Sequence, residues 1–219
     1  MEANENKNTS IPEPTVRRMP QYHNYVKNKK IQGEIYLSAP AIGRSLRLDS
    51  TQVTKDLAYT GVAGKPRIGY HVETLLAAIE TFMGFNQIDH VFLVGAGNFG
   101  TALVGYPGFD EYGVKIVAAF DNDPKKIGSK IRGVPVFHID KFRDLAQEMN
   151  VKFGIITTPP QNAQQVADLM ISWGILAIWN FTPVNIQVPK HIIIQNTSIY
   201  ANLAVIMNKL HHKLSIENL

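Results

Sequence analysis

The residues best suited to chemistry lie mid-chain, where Gly95-Ala96-Gly97-Asn98-Phe99-Gly100 follows the apolar run Val91 to Val94 and leads into the helical stretch Thr101 to Gly105. This is a G-x-G-x-x-G loop between strand and helix. Gly95 permits a tight turn, Gly97 lets backbone approach a pyrophosphate, and Gly100 allows close strand–helix packing, while the helix N-terminus offers N–H groups to phosphates. Asp121 stands 21 residues after Gly100, closing Ala118-Ala119-Phe120. A carboxylate at the end of the second strand accepts from a ribose 2′-hydroxyl and repels a 2′-phosphate, which favours NAD(H) over NADP(H). The alternative reading is a glycine turn in a Rossmann-like domain that has lost its ligand.

Two further segments end apolar strands, Thr157-Thr158-Pro159-Pro160 and Asn180-Phe181-Thr182-Pro183. In such sheets ligands sit outside the carboxyl ends of the strands, so these residues are expected to line the nicotinamide half of a dinucleotide site. Tyr106, after the fingerprint helix, is a further candidate, with a packed core tyrosine as its alternative. NAD+/NADH is the cofactor these residues point to. A dehydrogenase would also need a positioned acid or base. His138, Asp140 and Lys141 are the nearest, but 139–144 reads as the start of a surface helix, and no substrate domain remains in the chain.

These residues must be held by alternating strands and helices, which imply βαβ units and a parallel sheet. Strands are expected at Val91–Val94, Lys115–Phe120, Val134–Phe137, Phe153–Thr157, Leu176–Asn180 and Ile192–Asn196, apolar enough to be covered on both faces. A final helix from Ile199 to Leu210 sets Ile199, Leu203, Ile206 and Leu210 on one side.

The grammar before residue 84 differs. Val16, Met19, Tyr22 and Val26 predict a helix over Val16 to Gln32, capped by Gly33. Ser38 caps a short helix with Pro40 in its first turn, carrying Ile42 and Leu46. Asp49 caps a third, with Gln52 three residues on and Val53 and Leu57 on its buried side. Helix, turn and helix within Pro40 to Tyr59 is the helix-turn-helix pattern. Gly61 to Tyr70 reads as a β-hairpin or wing with Lys65 and Arg67 at its tip, and an amphipathic helix from Val72 ends at Gly84. Ser50, Gln52, Thr54, Lys55 and Tyr59 then face away from the core toward a major groove. Arg18, Lys65, Arg67 and Tyr70 complete the expected DNA-facing set. From Ile11 to Tyr70 there are ten basic and four acidic residues, a net of +6 in a chain of formal net charge +4. The excess cation thus sits on one third of the chain, as a polyanion partner requires, although a solvated basic face would read the same.

The chain has 219 residues, 45% hydrophobic and 18% charged, enough for two small domains. No run approaches the roughly 18 apolar residues of a membrane span. Met1 to Ser10 is polar and reads as a disordered lead-in, not a secretory signal, so a cytoplasmic location is expected. With no cysteine, any redox role must run through a cofactor. The expected domains are a winged helix over 11–84, a Rossmann domain over 89–197 and a C-terminal dimerising helix over 198–212.

The combination resembles the Rex family of redox-responsive repressors over nearly the whole of 11–210. It is carried by Gln52-Val53, Lys55-Asp56-Leu57, Tyr59, Gly64-Lys65-Pro66 and Ile68-Gly69-Tyr70. In the second half it is carried by the glycine fingerprint, Tyr106-Pro107-Gly108-Phe109, Ala119 to Pro124 and Asn180 to Val184. The resemblance implies a winged-helix domain and a Rossmann domain in a homodimer whose C-terminal helix is exchanged between subunits and packs on the partner's DNA-binding domain. It implies that the NAD+ form occupies operator DNA and that NADH releases it; a dimer is expected to read a palindrome. Because NADH differs from NAD+ at a neutral, puckered nicotinamide ring, the discriminating contacts are expected near Tyr106, Thr158, Phe181 and the partner's Ile199. Three positions depart from the family pattern. Thr54 stands where an Arg is expected, removing a bidentate donor for guanine edges or phosphate. Ser198 and Asn24 stand where the family often has Asp and Arg, charges tied to the NADH switch. The competing readings are a small NAD-dependent dehydrogenase and a cofactor-binding interaction module whose winged helix docks protein.

Overall fold

The structure, a computed structural model of the chain, describes residues 11–217, so the lead-in expected at Met1 to Ser10 lies outside the described residues. The chain divides into two compact units after Gln87.

In the first unit α1 spans Glu13–Ile31, β1 Tyr36–Leu37, α2 Ala39–Leu46, α3 Ser50–Ala58, β2 Tyr70–His71 and α4 Val72–Phe82. The caps are those the sequence predicts: Ser38 Oγ accepts from Ala41 N, and Asp49 Oδ1 accepts from Thr51 N and Gln52 N. The α2–α3 turn is tight enough that a Cβ on Gly43 would meet the Leu48 carbonyl oxygen at 2.7 Å. Met19, Tyr22, Val26, Ile42, Val53, Leu57, Leu75 and Ile79 are fully buried in one core.

Two expectations need correction. Val16 is exposed, because the buried stripe of α1 runs through Thr15, Met19, Tyr22, His23 and Val26. The wing is also less regular than a hairpin over 61–70. Lys65 and Gly69 exchange two backbone hydrogen bonds around a turn with Arg67 at positive φ, and Tyr70 pairs instead with Leu37 of β1, a two-residue strand too short to show a period of two.

In the second unit β3 spans Asp89–Val94, α5 Asn98–Val104, α6 Gly108–Glu111, β4 Val114–Asp121, β5 Lys130–Ile131, β6 Val134–His138, α7 Phe142–Glu148, β7 Phe153–Ile156, α8 Ala163–Ser172, β8 Ala177–Asn180, β9 Ile193–Asn196 and α9 Ile199–Glu217. The seven strands lie in the order β5-β6-β4-β3-β7-β8-β9. All neighbours are parallel except β5 with β6. Without β5 this is the doubly wound order of a dinucleotide fold, with its reversal between β3 and β7. β3 explains the unbroken apolar runs: Val91 and Leu93 enter one core, Phe92 and Val94 the other. The added β5 follows from Arg132-Gly133, both at positive φ as a two-residue type I′ turn requires. α9 runs further than the expected end at Leu210, and all its side chains from 201 to 215 are exposed in this chain.

Candidate dinucleotide site and nucleic-acid face

The three fingerprint glycines have three different surroundings. Gly95 lies at φ +107°, and a Cβ there would meet the Thr157 carbonyl carbon at 2.7 Å, so the loops after β3 and β7 lie back to back at the reversal point. A Cβ on Gly100 would run into the Gly95 carbonyl oxygen and the Leu93 side chain. Gly97 has nothing within 4 Å of that position. Its glycine therefore leaves open space beside the cavity.

That cavity, of about 810 Å³, is lined by Gly95, Gly97, Asn98 and Phe99 from the fingerprint and by Asp121, Thr157, Thr158 and Pro159 from the neighbouring strand ends. The two threonines differ. Thr157 Oγ1 donates toward the Val94 and Gly95 carbonyls and so holds the loop. Thr158 Oγ1 is buried with no partner among the described residues. An orphaned buried hydroxyl costs roughly 1–3 kcal/mol, which a ligand's polar group would recover. With the open face of Gly97, this fits the residues present to a dinucleotide.

Asp121 accepts from Ala96 N and Lys126 Nζ at Oδ2, 2.8 and 2.9 Å, and from Asp123 N at Oδ1, 2.9 Å. Burial works against its charge, but the Asp123 N–H, Lys126 and the Ala96 N–H outweigh it and hold the carboxyl below its ordinary pKa. Lys126 was not singled out by the sequence, although it sits one turn past Asp121 in a Pro-containing loop. Ile139, Val166 and Leu169 also line the cavity and give it an apolar wall suited to a flat base. Val166 and Leu169 are legible in the sequence by their i, i+3 spacing on α8.

Three candidates lie elsewhere. Asn180 is fully buried: its amide donates to Val184 O and Asn196 Oδ1, and its Oδ1 accepts from Thr182 N and Thr182 Oγ1. The expectation that it lines the ligand pocket is corrected, since it knots the loop after β8. Phe181 packs on Phe99, ring centroids 5.3 Å apart, beyond the cavity lining. Tyr106 is exposed and borders a separate cleft of about 190 Å³ with Phe109 and Arg132. His138 Nδ1 accepts from the Asp140 N–H at 3.3 Å, which suits a helix start.

In the first unit the outer side of α3 exposes Thr54, Lys55 and Tyr59, with Ser50 half-buried at its start. Thr54 Oγ1 donates to Ser50 O. Lys65 and Arg67 are exposed on the wing turn, and Arg44 and Arg47 add two exposed cations beside the turn into α3. Tyr70 is corrected: it is 4% exposed, with its ring under Gly64, and cannot present itself to a groove. Arg18 and Gln52 are drawn inward. Both donate to the fully buried Asp56, as do Tyr22 and Thr15. Burial opposes the Asp56 charge, yet these donors, Arg18 first, bring its pKa down to about 2.

Comparison with known proteins bears on both units. A family model described as "Putative DNA-binding protein N-terminus" matches residues 10–58, and one described as "CoA binding domain" matches 86–184. The redox-sensing transcriptional repressor Rex of Bacteroides fragilis is 44% identical over 93% of this chain and 92% of its own. The chain belongs to the Rex family. Its Rex relative from Treponema denticola is likewise 44% identical, over 89% of this chain and 94% of that protein. Among solved structures, a Rex-family repressor called RSP in complex with β-NAD+ and operator DNA superposes with a TM-score of 0.90 at 28% identity, covering 96% and 97% of the two chains. RSP in complex with β-NADH gives 0.84 at 28%, covering 96% and 99%. The mixed α/β Rex fold, with a helical N-terminal region and a Rossmann-type sheet, is therefore that of this chain.

Proposed function

We propose that this protein is a cytoplasmic transcriptional repressor that senses the NADH/NAD+ ratio, occupying palindromic operator DNA in its apo or NAD+ form and leaving it when NADH binds. The observation that carries this reading is the joining, in one cysteine-free chain, of a helix-turn-helix with cationic outer faces to a dinucleotide cavity bearing an unpartnered threonine. It has the role of a regulator and not of an enzyme: its named relatives are repressors, and His138 Nδ1 caps the turn that follows it.

In this reading residues 11–84 are the winged-helix DNA-binding domain, 89–197 the NAD(H) domain and 198–212 the core of a dimerising helix. The loop Gly95–Gly100 takes the pyrophosphate, Asp121 a ribose hydroxyl, and Thr158 and Pro159 the nicotinamide side, with Phe181 and Tyr106 beyond. Ser50, Thr54, Lys55 and Tyr59 read the groove, and Lys65 and Arg67 hold phosphate or the flanking minor groove. The exposed Leu203, Ile206 and Leu210 support burial of α9 against a second copy of the chain. NAD+ and NADH supply the signal, differing in nicotinamide charge and pucker. A ligand moves an equilibrium only by its differential affinity for two states.

The test is fluorescence anisotropy of a palindromic operator duplex titrated with the protein at fixed salt, with saturating NAD+ or NADH. Release by NADH alone is expected. Tight binding indifferent to both cofactors sinks the sensor, and no binding in any state sinks the repressor.

A further inference from the structure

Beyond the fingerprint, aromatic rings form a ladder across the sheet. Phe99 faces Phe181 at 5.3 Å, Phe181 faces Trp179 at 4.5 Å, and Trp179 faces Phe109 at 6.1 Å. Each spacing falls in the range of a favourable aromatic pair. The ladder starts at the dinucleotide cavity, because Phe99 lines it.

From Trp179 the ladder branches to the root of α9. The Trp179 indole N–H donates to Thr197 Oγ1 at 2.9 Å, and the Thr197 N–H donates to the Asn180 carbonyl at 2.8 Å. Ser198 follows, its Oγ accepting from Ala201 N at the first turn of the helix. An indole is rigid and has one donor, so Trp179 carries one end of a fixed strut between the Phe181 ring and the residue from which α9 departs. α9 is 19 residues long, about 28 Å at 1.5 Å per residue. A tilt of about 10° at its root moves its far end by about 5 Å over that length.

We propose that Trp179 is a positioning residue that couples the occupant of the cavity beside Phe99 to the direction in which α9 leaves Thr197. The inference rests on the function proposed above. A charged planar ring and a neutral puckered one pack differently against Phe99, and the Phe99 ring rests on Phe181. Close-packed rings shift together between discrete arrangements. The Trp179–Thr197 hydrogen bond passes that shift to the helix.

The experiment uses the intact protein, the same operator titrations with NAD+ and NADH, and NADH affinity measured separately by calorimetry. Trp179→Phe keeps the ring ladder and removes the N–H. Thr197→Val keeps the shape and removes the acceptor, whereas Thr197→Ser keeps the hydroxyl. The expected result is that Trp179→Phe and Thr197→Val bind NADH and operator as the wild type does, but NADH weakens operator binding about three- to tenfold less, the scale of one hydrogen bond. The double variant should lose no more than either single one, and Thr197→Ser should respond as wild type. Full NADH release in both Trp179→Phe and Thr197→Val overturns the coupling, as does a loss of release matched by an equal loss of NADH affinity. A wild-type chain indifferent to NADH overturns the proposed function and this inference with it, and is seen before any substitution is made.

Discussion

Arg18 and Asp56 lie 38 residues apart in sequence and are joined side by side, Arg18 Nε to Oδ2 at 2.6 Å and Nη2 to Oδ1 at 2.9 Å. The pair ties α1 to the buried side of α3, the helix whose outer side is proposed to read DNA. Arg18→Ala leaves a fully buried carboxylate with only neutral donors. Because Arg18 is itself partly exposed, the expected cost is about 2–3 kcal/mol, below the usual range for a wholly buried pair. Urea unfolding should show that loss in the N-terminal unit, with NADH affinity unchanged. An unchanged urea midpoint would count against this role.

Acid sensitivity follows from the same carboxylate. Its folded pKa of about 2 lies below the ordinary value of about 3.9. The group therefore contributes stability that is complete above about pH 5 and is lost as the pH falls toward about 2, amounting to roughly 2–3 kcal/mol. Asp56→Asn should lower stability at pH 7 and flatten its dependence on pH across that window. Thermal denaturation at pH 7, 4 and 3 tests the sign: a variant that loses stability with acid as steeply as wild type contradicts it.

Two glycines of the fingerprint should fail differently. A methyl at position 97 meets open space in the protein, so Gly97→Ala should fold normally and bind NADH about tenfold or more weakly, the methyl standing where a pyrophosphate would approach. A methyl at position 100 meets the Gly95 carbonyl and Leu93, so Gly100→Ala should lower the melting temperature even without cofactor. Calorimetric scanning with and without NADH separates the two.

Asp121 and Lys126 should shift cofactor choice in opposite directions. Replacing Asp121 by Ser removes the negative charge that would face a 2′-phosphate, and the preference for NADH over NADPH should fall at least about tenfold, or ~1.4 kcal/mol. Lys126→Met leaves Asp121 without the cation 2.9 Å away and should raise that preference. Equal preferences in wild type and both variants would remove Asp121 from the site.

The contrast between Gly97 and Asn180 shows what the sequence could carry. The fingerprint was legible because each glycine answers a local backbone demand, and the apolar runs were legible because a parallel sheet buries both faces of a strand. Asn180 and Thr157 read as pocket polar groups, yet Asn180 ties the loop after β8 and the Thr157 hydroxyl ties the loop after β3; which partner a short polar side chain chooses is decided by neighbours distant in sequence. Tyr70 failed for a related reason. The wing looked like a free hairpin, but β1 and β2 are two residues each, and their pairing draws the ring inward. Arg18 counted as cationic surface until Asp56 was placed beneath it.

The cations left on the surface should carry the salt dependence of DNA binding. Lys55 projects from the outer side of α3, exposed like Thr54 beside it. If it neutralises one phosphate, Lys55→Ala should weaken binding to every duplex and lower the slope of log affinity against log salt by about 1. If instead it reads a base edge, the same variant should lose about 1–3 kcal/mol on the operator alone and keep its affinity for random duplex. Thr54→Arg restores a bidentate donor one position away and should strengthen binding most where a guanine lies within reach. Anisotropy titrations on operator and random duplexes at several salt concentrations decide between the roles. A Lys55→Ala protein that matches wild type on both duplexes at every salt would take α3 out of the groove.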